Sequence, residues 1–322
     1  MYDIVTVGSA TVDFFAETKE SSREILKHGN HSDVCLTLGA KVLIEGLKVD
    51  TGGGGTNAAV AFSRMGFKTG WIGVVGKDQN GRTVLEAVKK EGVRFLGQVK
   101  SGMTGYSLIL VGLQHDRTIL AFKGINDKLT SAPAVKTRWL YCSAMLGTSW
   151  KTLVRVVRAA KKRGTNVAFN PSLYLANQGL RKLAPMITNT DVLILNKEEA
   201  QALLAMRTGS IAALLKKLAR HVQLPVITDG AHGAFATDGF LLYSLRPHRV
   251  KVVETTGAGD AFAAGFVAGQ MLGRNIADSL RLGQVQAEGV LQAIGAKNNL
   301  LTKRQASAEL KRRPHPARIT HL

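Results

Sequence analysis

The sequence predicts an α/β fold, a mostly parallel central sheet flanked by helices, with a small separate sheet. Three observations predict it. Short β-branched apolar runs alternate with helical patterns at βαβ spacing. Two segments, Val34–Asp50 and Thr104–Lys123, break that rhythm and alternate apolar with polar residues, as half-exposed antiparallel strands do. The 322 residues, 45% apolar and 20% charged, run on without an internal repeat or a Ser/Gly/Pro linker. A single α/β domain over 1–322 is expected, carrying a small sheet built from about 34–50 and 104–123.

In chain order, core strands are expected at Asp3–Gly8, Thr69–Val75, Trp139–Ser143, Val167–Asn170, Val192–Asn196 and Pro225–Asp229. Helices are expected over Asn57–Met65, Arg82–Glu91 and Trp150–Arg163, stopped by Gly66, Gly92 and Gly164. Strand-like runs follow at Ala234–Thr237, Leu241–Ser244 and Val250–Val253, then an apolar helix over Ala261–Leu272. Residues from about 303 to 322 are polar and basic and read as a peripheral tail.

Composition narrows the function classes. No apolar stretch approaches the roughly 18–20 residues of a membrane span, and Asp3, Asp13 and Glu17 interrupt anything resembling a signal peptide. Cys35 and Cys142, far apart, make neither a disulfide framework nor a zinc site. A cytoplasmic location is expected. The 43 Lys and Arg against 23 Asp and Glu leave a net charge of +20, which invites nucleic acid as a partner. The basic residues instead spread over helix faces (Lys151, Arg155, Arg158, Lys161 to Arg163) and a terminal cluster (Lys311 to Arg313), without helix-turn-helix or zinc-finger spacing. Solvated helix faces are the simpler reading.

The strongest chemical signal is Glu254-Thr255-Thr256-Gly257-Ala258-Gly259-Asp260-Ala261-Phe262, where small residues open an apolar helix. The free N–H groups of a helix start bind anions, and small residues let a ligand approach the backbone. Asp260, in the first turn, lies within reach of such a ligand, although a first-turn Asp is also a common helix stabiliser, contributing about 0.3–1 kcal/mol. The second signal is Gly52-Gly53-Gly54-Gly55-Thr56-Asn57. It contains a partial dinucleotide fingerprint, Gly53-x-Gly55-x-x-Ala58 with Asp78 further on, but away from the first strand; no Walker A loop is present.

Together these runs resemble the signatures of the ribokinase-like, or PfkB-type, carbohydrate and nucleoside kinases. The glycine-rich run continues through Gly66 and Gly73 to Gly81, and both signatures stand in family order. Val12-Asp13, Asn170-Pro171, Asn196-Lys197-Glu198-Glu199-Ala200 and Thr228-Asp229-Gly230-Ala231-His232-Gly233-Ala234 agree. The resemblance implies a three-layer ribokinase-like fold with a small β-sheet lid, and phosphoryl transfer from ATP to a hydroxyl. It implies Asp260 as the base, the N–H groups of Gly257, Ala258 and Gly259 as an anion hole, and Asp13, Gly53 and Asn57 at the acceptor. Asn196 and Glu199 resemble the motif that organises Mg²⁺ and phosphate, through water, and Thr228, Gly230 and Gly233 resemble the nucleotide-side loop. Read singly, Asp13 is equally a turn residue, and Asn196 with Glu199 equally a helix N-terminus pair.

Two departures stand out. Glu254 occupies a position usually held by Asp, whose carboxylate in many members helps hold a monovalent cation; the extra methylene predicts weak or no activation by K⁺. Cys142-Ser143-Ala144-Met145 stands where some sugar kinases have an acidic acceptor ligand. A sugar kinase is the first reading, followed by a nucleoside kinase, with Phe14, Phe15 or Phe122 as clamp candidates, and then a kinase of sugar phosphates, with Lys123 as a candidate cation. A non-catalytic nucleotide- or nucleic-acid-binding protein is the remaining alternative. A small-molecule partner, no membrane and a homodimer formed through the lid are expected.

Overall fold

The computed structural model describes residues 1–18, 24–28, 31–111 and 117–322; residues 112–116, inside the second half-exposed segment, lie outside them. The chain begins with β1 (Tyr2–Val7), β2 (Thr11–Thr18), β3 (Glu24–His28), β4 (His31–Cys35), β5 (Ile44–Gly52), α1 (Gly54–Arg64), β6 (Thr69–Ile72), β7 (Val74–Gly76) and α2 (Gln79–Lys90). It continues through β8 (Arg94–Phe95), β9 (Gln98–Lys100), β10 (Gly105–Val111), β11 (Arg117–Phe122), β12 (Thr137–Ser143), α3 (Gly147–Lys161), β13 (Asn166–Asn170), α4 (Leu173–Ala176), α5 (Gly179–Ile187) and β14 (Val192–Asn196). It ends with α6 (Lys197–Leu204), α7 (Ile211–Leu218), β15 (Leu224–Thr228), β16 (Ala234–Thr237), β17 (Leu241–Leu245), α8 (Ala258–Met271), α9 (Ile276–Val290), α10 (Lys303–Arg312) and β18 (Arg318–His321).

The central ten-stranded sheet has the order β18-β17-β16-β15-β14-β13-β12-β1-β6-β8. Strands from β8 to β15 in that order run parallel, and the β16, β17 and β18 pairings are antiparallel. Both faces are covered, as βαβ crossovers require. Along β1, Ile4 joins one core with Phe62, Trp71, Tyr141 and Phe266, while Val5 and Val7 join the other with Leu140, Leu153, Phe169 and Leu193. This is the two-residue period of a strand buried on both faces.

The smaller sheet has the order β11-β10-β2-β5. Its central strand β2 carries Asp13, which is therefore a strand residue and not a turn residue. Pairing aligns Asp13 with Ser107 and Ser107 with Ala121, and likewise Ile109 with Ile119, on one face; Phe14, Leu108, Leu120 and Val49 align on the other.

Two local expectations are corrected. Helices α1, α2 and α3 each start three residues earlier than the apolar periodicity indicates, because their first turns are glycine and polar residues that carry no apolar signal; in α2 the Asp78 side chain caps Gly81 N. Val250–Val253 is not a strand: Val253 N donates to Leu291 O at the end of α9, and β18 takes the place beside β17. The C-terminal segment is surface-exposed, yet it supplies α10, anchored by buried Ala306, and the edge strand β18. Among the described residues no helix is long and apolar enough to cross a membrane.

Candidate active site

The C-terminal ends of β12, β13, β14 and β15 face the inner side of the small sheet across a cleft of about 500 Å³. Asp13, Ser107, Ile109, Ile119, Ala121 and Lys123 line it from the small sheet. The start of α1 adds Gly53, Gly54 and Asn57, and the start of α8 adds Gly257, Gly259 and Asp260. Sequence segments roughly two hundred residues apart thus meet: Asn57 Nδ2 donates to Asp260 Oδ2 at 2.8 Å.

The two glycine runs differ in why they are small. Gly53 has φ +96°, and a Cβ there would lie 2.6 Å from Ala10 Cα and Ser9 O, so packing of α1 under the β1–β2 connection demands it. Gly257 begins α8 in the left-handed region at φ +81°, with a Cβ position 2.6 Å from the backbone of Ala296. Gly259 has no such reason: a Cβ there would meet nothing within 4 Å. A glycine within a helix costs roughly 0.5–1 kcal/mol relative to alanine, so its smallness serves the open side of the cleft. α8 has no side-chain cap; Ala258 N donates to Thr255 O at 3.3 Å, while Gly257 and Gly259 border the cleft.

The carboxyls are tuned. Enclosure by protein raises Asp260 above the usual carboxylate range, and the Asn57 hydrogen bond and the positive charge of Lys297 pull it back down. Asp13, 5% exposed, is raised by burial and lowered by the hydroxyls of Thr11 and Ser107. Asn196 and Glu199 close a capping box on α6: Glu199 N donates to Asn196 Oδ1 at 2.7 Å and Asn196 N to Glu199 Oε2 at 2.9 Å. Burial pushes the Glu199 carboxyl up to about 7, against the hydrogen bond from Asn196.

Among the expected residues, Asp13, Gly53, Asn57, Asn196, Glu199, Thr228, Gly257, Gly259 and Asp260 border the cleft. Ala258, Gly230, Gly233 and Glu254 are not lining residues. Gly230 and Gly233, both at positive φ, shape the turn between β15 and β16, where a Cβ on Gly233 would strike Leu245 O. Glu254 lies buried beneath the α8 start, its Oε1 accepting from Thr256 N at 2.6 Å. Asp78 is engaged elsewhere, accepting from Gly81 N, Thr104 N and Thr104 Oγ1, so its carboxylate does not fill the ribose-binding place of the partial dinucleotide fingerprint.

Sequence reasoning missed Tyr174 and Lys297, and quoted Ser143 only as part of the run standing where some sugar kinases have an acidic acceptor ligand. Ser143, at the end of β12, presents a buried hydroxyl without a partner to the cleft. Tyr174 follows Asn170-Pro171, and Lys123 Nζ sits 4.9 Å from its ring centroid. Lys297 lies buried behind Asn57. None carries a local motif; only tertiary contacts bring them here. Phe14, Phe15 and Phe122 do not line the cleft.

The family model described as pfkB family carbohydrate kinase matches residues 1–303. The chain belongs to that family. It is similar to a ribokinase from Haemophilus influenzae, 26% identical over 266 residues that cover 79% of this chain and 85% of that one. The adenosine kinase of Sinorhizobium meliloti superposes with a TM-score of 0.80 at 22% identity, covering 97% and 99% of the two chains. The ribokinase of Arabidopsis thaliana, solved in complex with ribose and ATP, superposes with a TM-score of 0.76 at 21% identity over 96% and 99%. The fold is therefore ribokinase-like, and the protein is a sugar or nucleoside kinase, a phosphotransferase acting on an alcohol group.

Proposed function

We propose that the protein is an ATP-dependent sugar kinase in which Asp260 is the general base. The observation that carries this is the Asp260 carboxyl, raised in pKa and held by Asn57, at the first turn of the uncapped α8. Asp13 and Asn57 bind and orient the polyol. Asp260 takes the proton of the acceptor hydroxyl as the new O–P bond forms and the bond from the γ-phosphorus to the bridging oxygen of ADP breaks, a role contributing about 10²–10⁴-fold. The N–H groups of Gly257, Ala258 and Gly259 face the charge on the transferring group. Thr228 stands on the nucleotide side, with the Gly230–Gly233 turn shaping its approach.

The residues present fit Mg²⁺ held through water and phosphate. Among the described residues no cluster of three or more His, Cys, Asp or Glu forms a cage, while Glu199 offers a cleft-lining carboxyl, besides Asp13 and Asp260, whose burial favours a cation partner. Mg²⁺ neutralises phosphate charge in such transfers. Glu254, already engaged with Thr256 N, supports weak or no K⁺ activation; titrating K⁺ against Na⁺ at constant ionic strength tests this, and a several-fold K⁺-selective rise in kcat overturns it.

Among the described residues Lys123 is the single Lys or Arg lining the cleft, which favours an uncharged acceptor over a sugar phosphate. A nucleoside is the second reading, favoured by the apolar wall of Ile109, Ile119, Ala121 and Tyr174. The small sheet serves as a lid that excludes water, and its outer face, with Leu47, Val49, Leu120 and Phe122 exposed, suits pairing of two copies. Assay of D-ribose, D-fructose, adenosine, inosine and ribose 1-phosphate for ADP release with MgATP tests the reading: turnover is expected with a free sugar, and turnover confined to the phosphosugar overturns it.

A further inference from the structure

We propose that Lys297 is a positioning residue of this site, its ammonium setting which way the Asn57 amide faces and thereby holding the Asp260 carboxyl in register. The proposal rests on Asp260 being the base.

Lys297 is 6% exposed and lies in the loop that follows α9. Its Nζ donates to Thr51 O, at the end of the small-sheet strand β5, and to Asn57 Oδ1 at 3.4 Å. An ammonium has donors and no acceptor, so the oxygen end of the amide must face it. That leaves Nδ2 for Asp260 Oδ2, the 2.8 Å contact already described. Were the amide reversed, Oδ1 would oppose a carboxylate and Nδ2 an ammonium.

The loop is also tied to β5 by Lys48 Nζ on Ile294 O and Asn298 Nδ2 on Asp50 Oδ2, and to α1 by Arg64 Nη1 on Lys297 O. The same loop supplies Ala296 against Gly257. Small sheet, anion pocket and base are thus joined through one short segment. Packing alone does not explain a lysine here, since burying an ammonium is costly and an apolar side chain would fill the volume without that cost.

The groups facing the ammonium are Asp50, Asp13, Asp260 and Glu91, of which Glu91 is paired with Arg64. Burial lowers Lys297 to about 8 despite them. Loss of its proton therefore frees the Asn57 amide and removes a charge that lowers Asp260. Activity should fall through a basic limb near pH 8. The contribution of this group to stability moves the other way: the unfolded lysine keeps its proton up to about 10.5 while the folded one has lost it, so stability rises with pH across that window.

The test compares the unaltered protein with Lys297→Met, Lys297→Arg and Asp260→Asn from about pH 5.5 to about pH 9.5, using the acceptor of highest turnover. Lys297→Met is expected to lose about tenfold or more in kcat and to move the acid limb upward. Lys297→Arg, keeping charge and donors, should bring the acid limb back. The Asn57 side-chain amide signals, followed by ¹H–¹⁵N spectroscopy without any acceptor, should titrate near pH 8 in the unaltered protein. A folded Lys297→Met with unaltered kcat and limbs overturns the proposal. If that variant does not fold, the absence of both a basic kcat limb and an Asn57 amide titration near pH 8 in the unaltered protein overturns it. Activity retained in Asp260→Asn instead removes the base assignment, which separates the two failures.

Discussion

Helices α6 and α8 both begin at the rim of the cleft, and they use their N-terminal donors in opposite ways. α6 caps itself: the Asn196 and Glu199 side chains take each other's backbone N–H groups. α8 starts at a left-handed Gly257 with no side-chain cap, places Asp260 in its first turn and leaves open space beside Gly259. A helix start is available to an anion only where its own sequence has not already satisfied the donors. On this comparison the proposed charge stabilisation belongs to α8, and α6 supplies a carboxyl at a fixed place.

Asp260→Asn should show the largest effect, a loss of about 10²-fold or more in kcat with the fold kept, because the amide matches the shape and cannot take a proton. Near-normal steady-state turnover in this variant would break the comparison at its centre.

Glycine variants sharpen it. Gly259→Ala should leave the protein as stable or roughly 0.5–1 kcal/mol more stable, while lowering kcat about tenfold as the methyl enters the open side. Gly257→Ala should instead lower the melting temperature, since its positive φ and the Ala296 backbone both oppose a Cβ. Thermal melts and initial rates on the two variants separate these effects; equal destabilisation of both would show that Gly259 is structural.

Glu199 gives a pH signature. Its folded carboxyl near 7 lies above the 4.5 of a freely solvated glutamate, so between those values the folded state binds more protons and stability falls as pH rises through the window. Glu199→Gln should flatten that decline in a pH series of urea midpoints, and MgATP should offset it in the unaltered protein. An unchanged slope would remove Glu199 from the cation side of the cleft.

The smallest effect belongs to the α6 cap. Asn196→Ala should cost about 1 kcal/mol in urea denaturation, with kcat reduced less than about tenfold. A loss of kcat as large as that of Asp260→Asn would mean that α6, too, stabilises the transferring charge.

By itself the sequence determined the parallel sheet, its core strands and the two glycine-rich helix starts, because strand and helix periods and glycine stops are local signals. It also carried Asp260, Asn57 and Glu199 as residue types in context. Tertiary structure decided the rest. β2 was hidden because both its faces are covered, with Val12, Asp13, Phe15 and Ala16 buried and Phe14 packed against the core and Tyr106, so the two-residue alternation is missing. Val250–Val253 reads as a strand by composition, but Val253 N donates to Leu291 O at the end of α9 and β18 holds the place beside β17. Gly53 and Gly259 look alike in sequence; the backbone of Ser9 and Ala10 beside one and the empty space beside the other divide them. Lys297 is an ordinary lysine along the chain, and becomes part of the site only because β5, α1 and the loop after α9 converge on its ammonium, a long-range arrangement that no local period encodes.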